Sequence, residues 1–87
     1  MPQGILDYIL TEHAESEFAR RNISRDVVSA TLTAPEQRFE VRPGREVFQS
    51  RVDGGLIRVF VDVDRQPAEV VTAYITSKIQ KYWRAEP

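Results

Sequence analysis

Residues 46–78 read EVFQSRVDGGLIRVFVDVDRQPAEVVTAYITSK, and this stretch decides the fold. β-Branched and aromatic residues fill it. Gly54-Gly55 and Gln66-Pro67 punctuate it, so it reads as an antiparallel meander of three strands. A two-residue Gly54-Gly55 loop pairs Val52 with Ile57, Arg51 with Arg58 and Gln49 with Phe60. One face then carries Phe48, Ser50, Val52, Ile57, Val59 and Val61. A three-residue loop, Arg65-Gln66-Pro67, continues that face with Val71, Ala73 and Ile75. The opposite face receives Gln49, Arg51, Arg58, Phe60, Thr72, Tyr74 and Thr76, with Arg51, Arg58 and Tyr74 in one row across the strands. Like charges directly opposed are destabilising. Such a pair is either neutralised by a neighbouring acid (Glu40, Glu46 or Asp62) or used to hold an anion.

Upstream of the meander the pattern turns helical. Thr11 is an N-cap, with acidic Glu12 and Glu15 in the first turn, where they suit the helix dipole. Leu10, Ala14 and Phe18 recur every four residues as the buried stripe. Arg20 and Arg21 fall in the last turn, and Asn22 suits a left-handed cap. Ser24 caps a second helix carrying Val27, Val28, Ala30 and Leu32, which Pro35 ends. Ile23 plugs the space between the two helices. Residues 37–42 alternate as a half-buried strand with Phe39 and Val41 on one side, and Pro43-Gly44 turns into the meander. A strand over residues 6–10 would add an edge to the sheet. Ser77 opens a short helical tail, in which Ile79, Tyr82 and Trp83 pack on the sheet edge with Lys78, Lys81 and Arg84 outside. The expected class is therefore α+β: two N-terminal helices on one face of a three- to four-stranded antiparallel sheet, with a short C-terminal helical tail.

Length and composition bound the rest. With 87 residues the chain has room for one core and one domain. It is 41% hydrophobic and 29% charged, as soluble globular domains are. It has no cysteine, which rules out disulfides and thiolate metal sites. Its apolar runs are too short to span a bilayer, and MPQGILDYIL lacks the features of a signal peptide, so the expected location is cytoplasmic with no membrane partner. A net charge of −1 argues against a generally basic nucleic-acid binder, although Arg38, Arg42, Arg45, Arg51 and Arg58 concentrate positive charge centrally.

The glycines form no phosphate-binding loop, and one histidine without cysteine suggests no metal site and no cofactor. His13 sits in the first helical turn, away from the buried stripe, with Glu17 four residues on. A lone surface histidine is most often solvated or paired with a carboxylate. Imidazole also titrates near neutrality and serves as a general acid or base. With arginines and a tyrosine nearby, it would suit metal-free RNA cleavage, in which the 2′-OH attacks the adjacent phosphate. The aromatic and basic tail suits RNA stacking and phosphate contact, though Trp83 by itself reads as an anchor for the C-terminus.

EHAESEFARRNIS, VVSATLTAP, RVDGGLIRVFVDV and VVTAYITSKIQKYW together resemble the small bacterial domain-of-unknown-function family 4258, in order and spacing, over residues 11–83. The architecture resembles the RelE-type toxin fold, a group that includes metal-independent ribonucleases encoded with an antitoxin partner. The resemblance implies functional weight for His13, Arg21, Arg58, Thr72, Tyr74 and Lys78. The chain departs from the family pattern at Glu17, where that pattern has arginine, and at Asn22, where it has glycine. The expected catalytic set is His13, Arg58 and Tyr74. The expected RNA- and phosphate-binding set is Arg21, Arg51, Thr72, Lys78 and Lys81. The expected partners are RNA and an antitoxin-like protein, with homodimerisation through a sheet edge as a further outcome. The alternative function is a non-catalytic protein-binding module.

Overall fold

A computed structural model describes residues 2–85. The elements run β1 (Tyr8–Leu10), α1 (Glu12–Arg21), α2 (Arg25–Thr33), β2 (Gln37–Arg42), β3 (Arg45–Val52), β4 (Gly55–Asp62), β5 (Ala68–Thr76) and α3 (Ile79–Tyr82). The class is α+β, but the sheet has five strands, in the order β1-β5-β4-β3-β2. It is also mixed, because β1 pairs parallel to β5, Tyr8 with Ala68 and Leu10 with Val70. Thr11 secures that added strand by donating both its backbone N–H and its hydroxyl to the Val70 carbonyl. No helix among the described residues is long and apolar enough to cross a membrane.

The helical caps form as the local sequence dictates. The Thr11 and Ser24 side chains accept from the backbone N–H of Ala14 and Val27. Asn22 adopts the left-handed conformation at φ 57°, which ends α1 and turns Ile23 into the core. Ala14, Phe18, Ile23, Val28 and Leu32 pack on Phe48, Ile57, Val59, Val61, Val70 and Ala73 from the facing side of the sheet. Helical amphipathicity and strand alternation therefore meet in one apolar layer.

The register of the central hairpin differs from the sequence expectation. The turn is Asp53-Gly54, not Gly54-Gly55, and Val52 faces Gly55 across it. Gly54 takes the positive φ of 75°, while Gly55 is the first ladder residue of β4. A Cβ on Gly55 would lie 2.5 Å from the Thr76 carbonyl oxygen, so this glycine serves close strand approach and not the turn. Each partner moves by two residues. Arg51 consequently faces Leu56, and Arg58 faces Gln49. The shift is even, so both faces of the β3–β4 hairpin keep the membership that alternation assigned them.

On the far side, Arg58 faces Tyr74 and Val59 faces Ala73 as expected. A bulge between Phe60 and Val61 then brings Val70, not Val71, opposite Val61 and into the core. The tail does not close on the sheet edge. It lies over the second face, where the Gln37 side chain brackets Arg84 by accepting from its N–H at 3.1 Å and donating to its carbonyl. Gln49 donates to the Tyr82 carbonyl at 3.1 Å. Val47, Gln49 and Leu56 on this face are fully buried. The sheet is thus covered on both sides, by α1 and α2 on one and by the closing segment on the other.

Candidate functional site

The second face holds a row of four side chains, one from each of four adjacent strands: Gln37, Gln49, Arg58 and Tyr74. Arg58 is its centre. Its Nε donates to Gln49 Oε1 at 2.9 Å, and its Nη1 donates to the Tyr74 hydroxyl at 2.7 Å. Its guanidinium carbon lies 4.3 Å from the Tyr82 ring centroid, 5.3 Å from that of Phe60 and 5.8 Å from that of Tyr74. The residue is only 8% exposed, and no carboxylate pairs with it among the described residues. A buried guanidinium without an anion is expensive, and here neutral acceptors and ring faces stabilise it.

The amides of the row are fully engaged. Gln49 Nε2 donates to Gln37 Oε1 at 2.7 Å as well as to the closing segment. Every buried side-chain nitrogen and oxygen among the described residues has a partner. Arg58 Nη2 makes no hydrogen bond among the described residues, and the Arg58 side of the row is open. That side is a cavity of about 400 Å³ lined by Phe39, Glu40, Val41, Arg58, Lys81, Tyr82, Trp83 and Arg84. Three cations meet one carboxylate in it. The Tyr82 phenol is pulled below the ordinary tyrosine value, first by hydrogen bonding with the Tyr74 hydroxyl and then by Lys81, with the Arg58 charge adding to both.

The expected row of Arg51, Arg58 and Tyr74 is thus corrected at one position: Gln49 stands where Arg51 was placed, and no like charges oppose each other within the row. Arg51 lies near the rim of the sheet. It pairs with Glu36 at 2.8 Å and stacks over the Trp83 ring at 4.8 Å. Lys78 and Lys81 line a second depression with Arg51, so the tail cations gather on that side of the molecule. Thr72 faces Phe60 and shares the face of Tyr74.

His13 and Arg21 belong to the helical layer. His13 is exposed on α1. Arg21 pairs with Glu17 at 2.8 Å and donates to the Ala73 carbonyl at 2.8 Å, tying α1 to β5. Glu17 takes Arg20 as well, at 2.6 Å, and these two arginines occupy the carboxylate that the sequence set beside His13. The fold brings Arg58, Tyr74 and Lys81 together and leaves His13 and Arg21 on the other layer. Sequence reasoning missed Gln37, Gln49, Tyr82 and Arg84 as parts of this site. The signal was the two glutamines at inward-facing strand positions, since a long amide inside a sheet needs partners.

The model of the domain of unknown function DUF4258 matches residues 10–75, about three quarters of the chain. The chain belongs to the DUF4258 family. The match runs from the end of β1 almost to the end of β5, and so includes Gln37, Gln49, Arg58 and Tyr74. Lys81, Tyr82, Trp83 and Arg84, which form the other wall of the cavity, lie beyond the DUF4258 match. No curated protein and no solved structure matches this chain.

Proposed function

We propose that this DUF4258 domain acts on RNA as a RelE-like, toxin-derived ribonuclease that needs no metal. The observation that carries the reading is Arg58: nine-tenths buried, paired with no carboxylate among the described residues, and lining a cavity that it shares with Lys81 and Arg84. In the proposed reaction the ribose 2′-oxygen attacks the adjacent phosphorus and gives up its proton to a base. The bond from phosphorus to the 5′-oxygen breaks, and that oxygen takes a proton from water as it leaves. A 2′,3′-cyclic phosphate remains. Arg58 stabilises the charge that builds on the phosphorane oxygens. Tyr82, its ring 4.3 Å from the Arg58 guanidinium carbon, is the proton acceptor in its phenolate form, which the lowering of its phenol below the ordinary tyrosine value favours. The test is incubation of purified protein with single-stranded RNA in excess chelator. Cleavage to cyclic phosphate ends is expected, falling about 10²–10³-fold in Arg58→Ala. Intact RNA, together with unimpaired growth of cells expressing the protein, would refute the reading.

A second reading, a non-catalytic module that docks an antitoxin-like protein or a second copy by strand addition, is favoured by the sheet margins. Val41 at the β2 bulge is 42% exposed and Ile75 on β5 is 47% exposed. Its mark would be a stable complex with the product of a neighbouring reading frame, or a homodimer, in the absence of any RNA cleavage.

A further inference from the structure

We propose that the cavity between Arg58 and the closing segment holds a single unstacked nucleotide, with its phosphate on Arg58, Lys81 and Arg84 and its base against the aromatic wall. This inference rests on the RNA reading and specifies what that site accepts. Size comes first. About 400 Å³ lies near the lower end of the roughly 300–1,000 Å³ of small-ligand clefts, enough for one nucleotide unit and far too little for a duplex. RNA recognition of this kind takes bases that are splayed out of the stack.

Charge comes next. Arg58 Nε and Nη1 are committed to Gln49 and Tyr74, which fixes the guanidinium plane at the cavity wall and leaves Nη2 without a hydrogen bond among the described residues. Lys81 and Arg84 add two more cations to the lining, against Glu40 alone. An anion entering here meets a preoriented donor and relieves a buried charge that no carboxylate pairs among the described residues, an arrangement that favours phosphate over a neutral ligand.

The walls then select for a planar group beside the phosphate. Within the lining, Arg84 lies over Phe39 at 3.7 Å and Arg58 over Tyr82 at 4.3 Å, and Trp83 adds a third ring. The lining is therefore built of alternating rings and guanidinium planes, and bases stack on both. A site for inorganic phosphate alone would have no use for three aromatic residues around its mouth.

Trp83 is the only tryptophan, so its fluorescence reports on the cavity directly. The experiment titrates the full chain with nucleoside 3′-monophosphates, with inorganic phosphate and with unphosphorylated nucleosides, and follows Trp83 emission and heat of binding in parallel. Saturable binding of the nucleotides is expected, about tenfold tighter than either fragment. It should weaken about tenfold in Arg58→Gln and severalfold in the surface variants Lys81→Ala and Arg84→Ala, whose folding is not at stake. Equal affinity for inorganic phosphate, or no saturable heat with any nucleotide, overturns the inference. Nucleotide binding without RNA cleavage upholds this inference and removes the catalytic reading. Cleavage of RNA with no mononucleotide binding does the reverse.

Discussion

Gln49 and Arg58 face each other across the β3–β4 ladder, and Gln49 Oε1 accepts the Arg58 Nε hydrogen at 2.9 Å. The other end of the same amide donates to Gln37 and to the Tyr82 carbonyl. One buried side chain therefore orients the site's central cation and fastens the segment that closes over it. Gln49→Leu conserves volume and removes all three bonds. It should lower stability by about 2–4 kcal/mol, since it leaves a buried guanidinium and two buried polar groups short of partners. Urea denaturation of the two proteins measures this. A loss below about 0.5 kcal/mol would mean that the network is not a structural hub.

The two glycines of the hairpin should respond differently to alanine. Gly54→Ala meets open space but must hold φ near 75°, at a cost of about 1–2 kcal/mol. Gly55→Ala has no such φ problem, yet its Cβ would press on the Thr76 carbonyl, and separating β4 from β5 there should cost about 1–3 kcal/mol. In amide-exchange measurements the second variant alone should loosen β5. Equal protection of β5 in both would contradict the assigned roles.

If the RNA reading holds, the two layers of the fold predict unequal effects on cleavage. His13→Ala should leave the rate within about threefold of wild type, because His13 is exposed on the helical layer, away from the second face of the sheet. Arg51→Ala should leave stability nearly unchanged, as loss of an exposed ion pair does, with a small rate effect through Trp83. A loss in His13→Ala as large as in Arg58→Ala would return the histidine to the site.

Acid should destabilise the protein through three carboxylates. Glu17 is held below its ordinary value by its hydrogen bond from Arg20, Glu36 by hydrogen bonds from Arg51, and Asp62 by its hydrogen bond from Arg45. A carboxyl whose pKa is depressed on folding binds protons more weakly in the native state. Its stabilisation is present in full above the unfolded pKa and disappears as pH falls through the folded one. The melting temperature should therefore be flat from about pH 7 to 5 and drop below about pH 4. Asp62→Asn should reduce that drop. A decline that begins above pH 6 would point to other groups.

Alkaline titration isolates the site's tyrosine. Absorbance of the ionising phenols should show a phase below the ordinary tyrosine value of about 10, and Tyr82→Phe should remove it. Tyr74→Phe deletes the leading cause of the shift and should move that phase upward. Persistence of the early phase in Tyr82→Phe would assign it to another residue.

The local sequence determined the elements and their faces. The caps at Thr11 and Ser24, the left-handed Asn22, the Pro43-Gly44 turn and the alternation of β3, β4 and β5 each depend on neighbours within a few residues, so they can be read directly. Which side chains share a face was also legible, because alternation has a period of two and the actual register shift was even. The partners were not. Gly54 and Gly55 are equivalent as turn formers, and only the approach of the Thr76 carbonyl makes Gly55 a ladder residue, which moves Arg58 from Arg51 to Gln49. The bulge that buries Val70 depends on pairing across the β4–β5 ladder, and the parallel addition of β1 and the closing segment over the second face depend on contacts between residues more than thirty positions apart, such as Gln49 with Tyr82 at a separation of 33. A tail that reads as amphipathic can pack on an edge or on a face, and the choice follows from whether a buried amide waits there for its carbonyls. The sequence itself set an arginine inside a sheet; only the tertiary structure kept it apart from every carboxylate of the described residues and opened a cavity beside it.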